Sequence, residues 1–499
     1  MQVASVAAGL RRLAARLAIA VGFAVLIATA ACDAATPASP TTPAPAVAVD
    51  LTVPVEPNET PRPADPLAVP RVGLSVDSGS ETTPLGTPAA GVVGVVSSEV
   101  QAPTPAQVAP QVAHGEVLAQ RLVATYGPGE IDGIMPRFYP DGTGLSARYA
   151  VDQFQIRYLS TDESEAPLEI VARLYVPKID ASSPLPIFVY GAGTTGLADA
   201  CAPTREEPTV RNWGDYHAHM LSYAAQGYIG IIPDYAGFND DSQMQRYFVA
   251  DLEARVLLDA ARAVYRLFEA PEASPVPNVT PDRAVFFSGY SQGGHAVFAV
   301  RDIASQYAPD VPIRGVIGHG ATTDLAALMR DSPYFAPYLL YAFADYYGDD
   351  AVDLRQLLQP RWLATLDADL TQCIDAMPDI YGNSAGALYQ PEFLDALFAD
   401  ALEERFPALN EVLERNNTGL VASSVPVFLP QGTADPIVTN ASQEAFVAKL
   451  CDAGGLVTYQ IYPDVHHFRM RQVSFVDTLD WMATIRSGGT PANVCAPLG

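Results

Sequence analysis

The sequence predicts an α/β fold: a mostly parallel sheet of roughly eight strands, helices on both faces, and a helical cap inserted after the sixth strand. Three observations predict it. Short apolar runs, several ending in glycine, alternate with helical patterns, as expected for parallel strands buried on both faces. One of these runs turns directly into a helix through a serine flanked by glycines, "AVFFSGYSQGGHAVFAV" from Ala284 to Val300. One interval between strand signals is too long for two β/α steps and carries only helical patterns.

The fold is expected to begin near Ala113. Before it, Arg11, Arg12 and Arg16 precede an apolar run from Leu17 to Ala31, a length and flank that suit an export signal rather than a spanning helix. Thr29-Ala30-Ala31-Cys32 is similar to a bacterial lipobox, so residues 1–31 are expected to be a signal peptide of lipoprotein type, with Cys32 lipidated. Ordinary cleavage without a lipid is the alternative. Residues 32–112 hold fifteen of the 43 prolines after Asp33 and no aromatic residue, so they cannot bury enough apolar surface to offset ordering entropy and read as a disordered Pro/Ala/Thr-rich tether. An exported bacterial protein, anchored at a membrane or secreted, is the expectation.

From Ala113 the elements follow in order. Tyr149 to Ser160 and Leu168 to Pro177 are rich in Val, Ile, Tyr and Phe and read as neighbouring antiparallel strands. "PIFVYGAG", "GYIGIIPDYAG", "AVFFSGYS", "IRGVIGHG", "VPVFLPQG" and "LVTYQIYP" supply the parallel ones, with a helix expected over Val249–Leu267. From Ser291 to Asp435 there are 144 positions (435 − 291), where two β/α steps need roughly 60. The excess falls in residues 322–418, the expected cap; residues 113–321 and 419–499 form the core. Inside the cap, "PEFLDALFADALEERF" places Phe393, Leu394, Leu397, Phe398 and Leu402 on one helical stripe.

Gly289-Tyr290-Ser291-Gln292-Gly293 is a G-x-S-x-G motif. A strand bent sharply into a helix strains the corner residue and crowds positions two away, which is why glycines stand there. The corner exposes the serine oxygen beside the helix N-terminus, where free N–H groups favour developing negative charge. Gly382-Asn383-Ser384-Ala385-Gly386 repeats the pattern, but it follows "AMPDIY" rather than an apolar strand, so Ser384 reads as a turn residue. A serine needs a base and an orienting acid, in the order Ser, Asp or Glu, His for this kind of fold. Asp435 lies in the turn after "VPVFLPQG", and His466 and His467 follow "LVTYQIYP". His467 is the preferred base and His466 the alternative. His295, His217, His219 and His319 are read as structural. The amide of Gln292 is one expected oxyanion donor; the loop "GAGTTGLADACAP" supplies the other through Thr194 or Thr195.

Formal net charge is −27, which disfavours nucleic acid and anionic membrane surfaces as partners. Cys32, Cys201, Cys373, Cys451 and Cys495 are the five cysteines; if Cys32 is lipidated, four remain and three pairings are open. No closely spaced Cys or His pair suggests zinc, and no cofactor is implied.

"GTTGLADACAP", "IIPDYAGF" and "GYSQGG" together resemble the secretory lipases related to Candida antarctica lipase A, within the α/β-hydrolase superfamily, a pattern shared by bacterial extracytoplasmic esterases. The resemblance runs from about Tyr149 to Cys495. It implies a lipase or carboxylesterase with a helical cap, Ser291 as nucleophile, Asp435 as acid, His467 as base, and Thr195 with Gln292 as oxyanion site. It also implies Cys201–Cys373 and Cys451–Cys495 bridges. The expected reaction is therefore carboxylic ester hydrolysis through a Ser291 acyl-enzyme on a small-molecule or lipid ester. A serine peptidase on the same fold and a non-catalytic surface binding protein are the alternatives. Acyl length, interfacial activation and oligomeric state are not legible.

Overall fold

The computed structural model describes residues 113–179, 183–207, 211–240, 242–269 and 274–495; the expected signal peptide, Cys32 and the expected tether lie outside the described residues. Nine strands form one sheet: β1 (Val117–Tyr126), β2 (Ala150–Thr161), β3 (Pro167–Lys178), β4 (Ser183–Gly191), β5 (Ile229–Pro233), β6 (Val279–Tyr290), β7 (Ile313–His319), β8 (Val427–Gly432) and β9 (Val457–Tyr462). Their spatial order is β1-β2-β3-β5-β4-β6-β7-β8-β9. Pairing is antiparallel from β1 to β5 and parallel from β5 to β9.

The sheet has nine strands where roughly eight were expected, and the additional one is β1. β1 lies at the sheet edge, and most of it is exposed or half-buried, Leu122 at 52 % exposure. Its sequence VLAQRLVATY carries neither a continuous apolar run nor strict alternation, so only pairing with β2 reveals it. The inserted segment therefore follows the seventh strand in the chain, at the same place in the sequence.

The interior strands behave as their composition dictates. Every residue of β5 and of β8 is buried, as is β6 from Ala284 onward. Helices α1 (Pro128–Phe138), α2 (Tyr216–Ala225), α3 (Ala250–Glu269) and α4 (Gln292–Tyr307) follow in chain order. Tyr223 of α2 stacks on Phe188 of β4 at 4.1 Å and meets Phe475 of the C-terminal helix Phe475–Arg486 at 4.9 Å. Trp481 of that helix stacks on Phe428 of β8. α3 packs along α4, which starts at the Ser291 corner.

Between β7 and β8 the chain is helical, with no strand of the sheet. The long stripe expected after Pro391 is broken: one helix spans Pro391–Phe398, Asp400 adopts φ 55°, and a separate turn covers Leu402–Arg405. Phe393 and Leu397 are buried, but Phe398 is 55 % exposed, so it does not belong to the buried stripe. Cys201–Cys373 bonds this helical segment to the loop after β4, and Cys451–Cys495 ties the helix Asn440–Asp452 to the C-terminal residues.

Candidate active site

The sheet delivers Ser291 at the carboxyl end of β6, at φ 55° and ψ −113°. Such a conformation costs a non-glycine residue roughly 1–3 kcal/mol and persists only where its surroundings enforce it. The surroundings are explicit. The Ser291 amide donates to the His319 carbonyl (3.1 Å), and its own carbonyl accepts from the amides of His295 (3.2 Å) and Thr322 (3.3 Å). A Cβ on Gly289 would overlap the Gly293 carbonyl, and one on Gly293 would overlap that of Gly191. The corner can be this tight only with glycine at both positions. Gln292 opens α4, so its amide lies among the helix N–H groups that have no intrahelical acceptor.

Asp435 sits in the turn after β8 and is buried. One carboxylate oxygen accepts from the amides of Ile437 and Val438, both at 2.9 Å; the other lies 2.7 Å from Nδ1 of His467. The two amides hold the carboxylate, and the carboxylate holds the imidazole through Nδ1, leaving Nε2 as the nitrogen that Asp435 does not engage. His467 is buried against the Tyr290 ring at 4.8 Å, whereas His466 is exposed. Of the two neighbouring histidines, the structure thus brings His467 to Asp435. Gly320, at φ 52°, passes so close that a Cβ there would lie 3.0 Å from His467 Nδ1.

Ser291 and His467 line one cavity of about 250 Å³, together with Phe138, Thr194, Trp213, Phe335, Ile374 and Ile437. Phe335 and Ile374 come from the inserted helical segment. Among the described residues the Ser291 hydroxyl has no hydrogen-bond partner. Thr194 reaches this cavity, and its hydroxyl lies 2.6 Å from that of Tyr247. Thr195 is buried beside it, its carbonyl accepting from the Ile374 amide at 2.9 Å. Ser384, in the second glycine-serine motif, is exposed and far along the inserted segment.

The remaining histidines have structural surroundings. Burial pushes the His319 pKa down to about 3 and that of His217 to about 4; His219 is also held well below its usual value by burial. These rings stay neutral and packed. His295 bonds the Glu253 carboxylate through Nδ1 (2.6 Å) and the Asn416 carbonyl through Nε2 (2.6 Å). Among the described residues, no three His, Cys, Asp or Glu side chains gather as metal ligands.

Two features escaped the sequence. Arg471 is buried in the cavity wall, with its guanidinium 4.4 Å from the Tyr290 ring, 4.7 Å from Phe138 and 5.0 Å from Tyr216, and it donates to the Gly214 carbonyl at 2.7 Å. It packs over Tyr290, the residue preceding Ser291. Glu253 is also buried, and one of its oxygens accepts from the Gln292 side-chain amide at 2.7 Å. A signal for Glu253 existed: on α3 it falls at helical spacing with Val256, Leu257, Ala260 and Val264, a charge within an apolar stripe.

Comparison with known proteins bears on the family and the fold. The family model described as secretory lipase matches residues 216–493. Lipase A of Moesziomyces aphidis is 24 % identical over 395 residues, covering 75 % of this chain and 79 % of that protein. A "probable inactive lipase" of Mycobacterium tuberculosis is 22 % identical, covering 68 % and 74 % respectively. The crystal structure of Candida antarctica lipase A superposes with a TM-score of 0.58 at 20 % identity, covering 77 % of this chain and 84 % of that one, which establishes the α/β-hydrolase fold.

Proposed function

Because the chain belongs to the secretory lipase family, we propose that it hydrolyses carboxylic esters through an acyl-enzyme on Ser291. The observation that carries this reading is the Asp435–His467 contact at 2.7 Å in the wall of the cavity that also receives Ser291. As the Ser291 oxygen attacks the ester carbonyl, His467 Nε2 takes its proton, and Asp435 stabilises the resulting imidazolium. The oxyanion is held by the Gln292 amide and a donor from the Thr194–Thr195 loop. Collapse of the tetrahedral intermediate expels the alkoxide, which takes the proton from His467. Water then attacks the acyl-serine with His467 again taking a proton; collapse of this second intermediate returns that proton to the Ser291 oxygen and releases the carboxylic acid. The Ser291–His467 hydrogen bond closes when substrate fills the cavity, as is common in unliganded sites.

Residues 322–418 act as a cap that contributes Phe335 and Ile374 to the substrate pocket. The cavity of about 250 Å³ opens to solvent, so it holds a short acyl group and a longer one would extend past its mouth. Two disulfides and a secretory family suit an extracytoplasmic setting; no described helix is long and apolar enough to cross a membrane. Lipidation of Cys32 is the proposed anchor. Metabolic labelling with a palmitate analogue, abolished in Cys32→Ser, is the expected result; an unlabelled wild type removes the anchor and leaves the reaction untouched.

A fluorophosphonate probe tests the reaction. It should label the wild type and not Ser291→Ala, and p-nitrophenyl butyrate should be cleaved faster than the palmitate. An unlabelled wild type would make this chain a non-catalytic relative. Cleavage of the matching anilide at a comparable rate would favour a peptidase.

A further inference from the structure

The short stretch entering α3 reaches both sides of the proposed oxyanion site. From one side the Tyr247 hydroxyl lies 2.6 Å from Thr194 Oγ1, in the loop after β4. From the other, Glu253 Oε1 accepts from the side-chain amide of Gln292 at 2.7 Å. The two contacts belong to one rigid unit. The amide of Phe248, which sits between them at φ 57°, donates to the same Glu253 oxygen at 3.1 Å, and the Glu253 amide donates to the Val249 carbonyl at 3.0 Å. All four side chains are buried, so solvent does not compete for these bonds.

Resting on the esterase reading above, we infer that Tyr247 and Glu253 are positioning residues that set the spacing of the two oxyanion donors. Neither touches the substrate. Oxyanion stabilisation depends on donors held in place before charge develops, and a displacement of about 1 Å costs on the order of 100-fold in rate. Tyr247 and Glu253 fix the side chains of the residues whose backbone frames that site, and they do so from a single turn.

The far end of the unit is anchored in the cap. Asn416, the last residue of helix Pro407–Asn416, accepts the Ala250 amide on its side-chain oxygen at 3.0 Å. Its carbonyl lies 2.6 Å from His295 Nε2, while His295 Nδ1 lies 2.6 Å from Glu253 Oε2. A carbonyl can only accept, so Nε2 carries a hydrogen. The contact at Nδ1 then needs one more proton, on the ring or on the carboxyl group. Glu253→Gln supplies that hydrogen from its amide and keeps the acceptor for Gln292 and Phe248, so every bond survives. Glu253→Met removes them all.

The experiment measures kcat and KM of wild type, Tyr247→Phe, Glu253→Met and Glu253→Gln on p-nitrophenyl butyrate, per fluorophosphonate-titrated site. Affinity for a trifluoromethyl ketone, whose adduct carries an oxyanion, is measured alongside. Tyr247→Phe and Glu253→Met should lower kcat roughly 10- to 100-fold with KM little changed, and weaken the ketone by the same factor as kcat/KM. Glu253→Gln should recover most of the rate. A purely structural role lowers thermal stability or the titrated fraction without changing kcat per site, and that result overturns the inference. So does a fall in kcat with unchanged ketone affinity. If Glu253→Met does not fold, Tyr247→Phe, which deletes one hydroxyl, decides. An active wild type with unaffected variants defeats only this inference; a wild type that neither labels nor turns over defeats the esterase reading itself.

Discussion

Gly289–Gly293 and Gly382–Gly386 carry the same five-residue pattern in one chain, and the structure treats them differently. Ser291 lies between a twelve-residue strand and a sixteen-residue helix, buried, at φ 55° and ψ −113°. Ser384 precedes a four-residue helix, exposed, in ordinary extended backbone at φ −110° and ψ 102°. Around the first motif, the glycines are pressed against neighbouring backbone; around the second, a Cβ on Gly386 would meet nothing closer than Leu394 at 3.9 Å. A motif of this kind is therefore a statement about packing. The pattern permits the strained corner, and only a buried strand before it and a long helix after it impose one.

The comparison breaks most visibly at the serines. Ser291→Ala should lower ester hydrolysis by at least about 10³-fold, because what remains without the nucleophile is binding and oxyanion stabilisation alone. Ser384→Ala should leave kcat/KM unchanged. Equal losses at both positions would mean that the strained corner is not where the chemistry occurs.

The next largest difference lies in the flanking glycines. Gly293→Ala must push α4 away from the Gly191 carbonyl, and overpacking of this sort costs about 1–3 kcal/mol or more in a tight core. A lower melting temperature together with lost fluorophosphonate labelling is expected. Gly386→Ala should fold and label as wild type, since the added methyl finds open space. A Gly293→Ala protein with full labelling would show that the corner tolerates a looser geometry than its contacts suggest.

How far the sequence carries this contrast depends on what each residue's neighbours in the chain reveal. Ser291, Asp435 and the histidine pair were legible because each ends an apolar run, and strand ends are where an α/β sheet places its chemistry. The choice between His466 and His467 was open from the residues, since adjacent identical side chains differ only in the turn that aims them; here Asp464 at φ 57° precedes that turn. β1 was illegible because its partner, not its own composition, makes it a strand. Tyr247 and Glu253 sit in one short stretch but meet Thr194, Gln292 and, through His295, Asn416 from distant segments, which no local pattern encodes, although a glutamate inside an apolar stripe was a visible anomaly. The broken stripe after Pro391 failed for the opposite reason: a regular pattern was present, but Asp400 interrupts the helix that would have used it.

Gly382 gives the smallest and most selective test of the contrast. It adopts φ 63° and ψ −175°, a region essentially confined to glycine that costs an L-residue roughly 1–3 kcal/mol, yet beyond its chain neighbours no atom lies within 4 Å of where its Cβ would stand. Gly382→Ala therefore isolates backbone strain from packing. A drop in stability of about 1–3 kcal/mol, read by urea unfolding, should appear without any change in kcat per titrated site. At Gly289 packing acts alone, because φ there is ordinary and the added methyl meets the Gly293 carbonyl and disturbs the Ser291 corner. If Gly382→Ala also reduced activity, strain in the inserted helices would be reaching the cavity through Phe335 and Ile374, and the two motifs would be coupled parts of one device rather than a functional corner and an incidental copy.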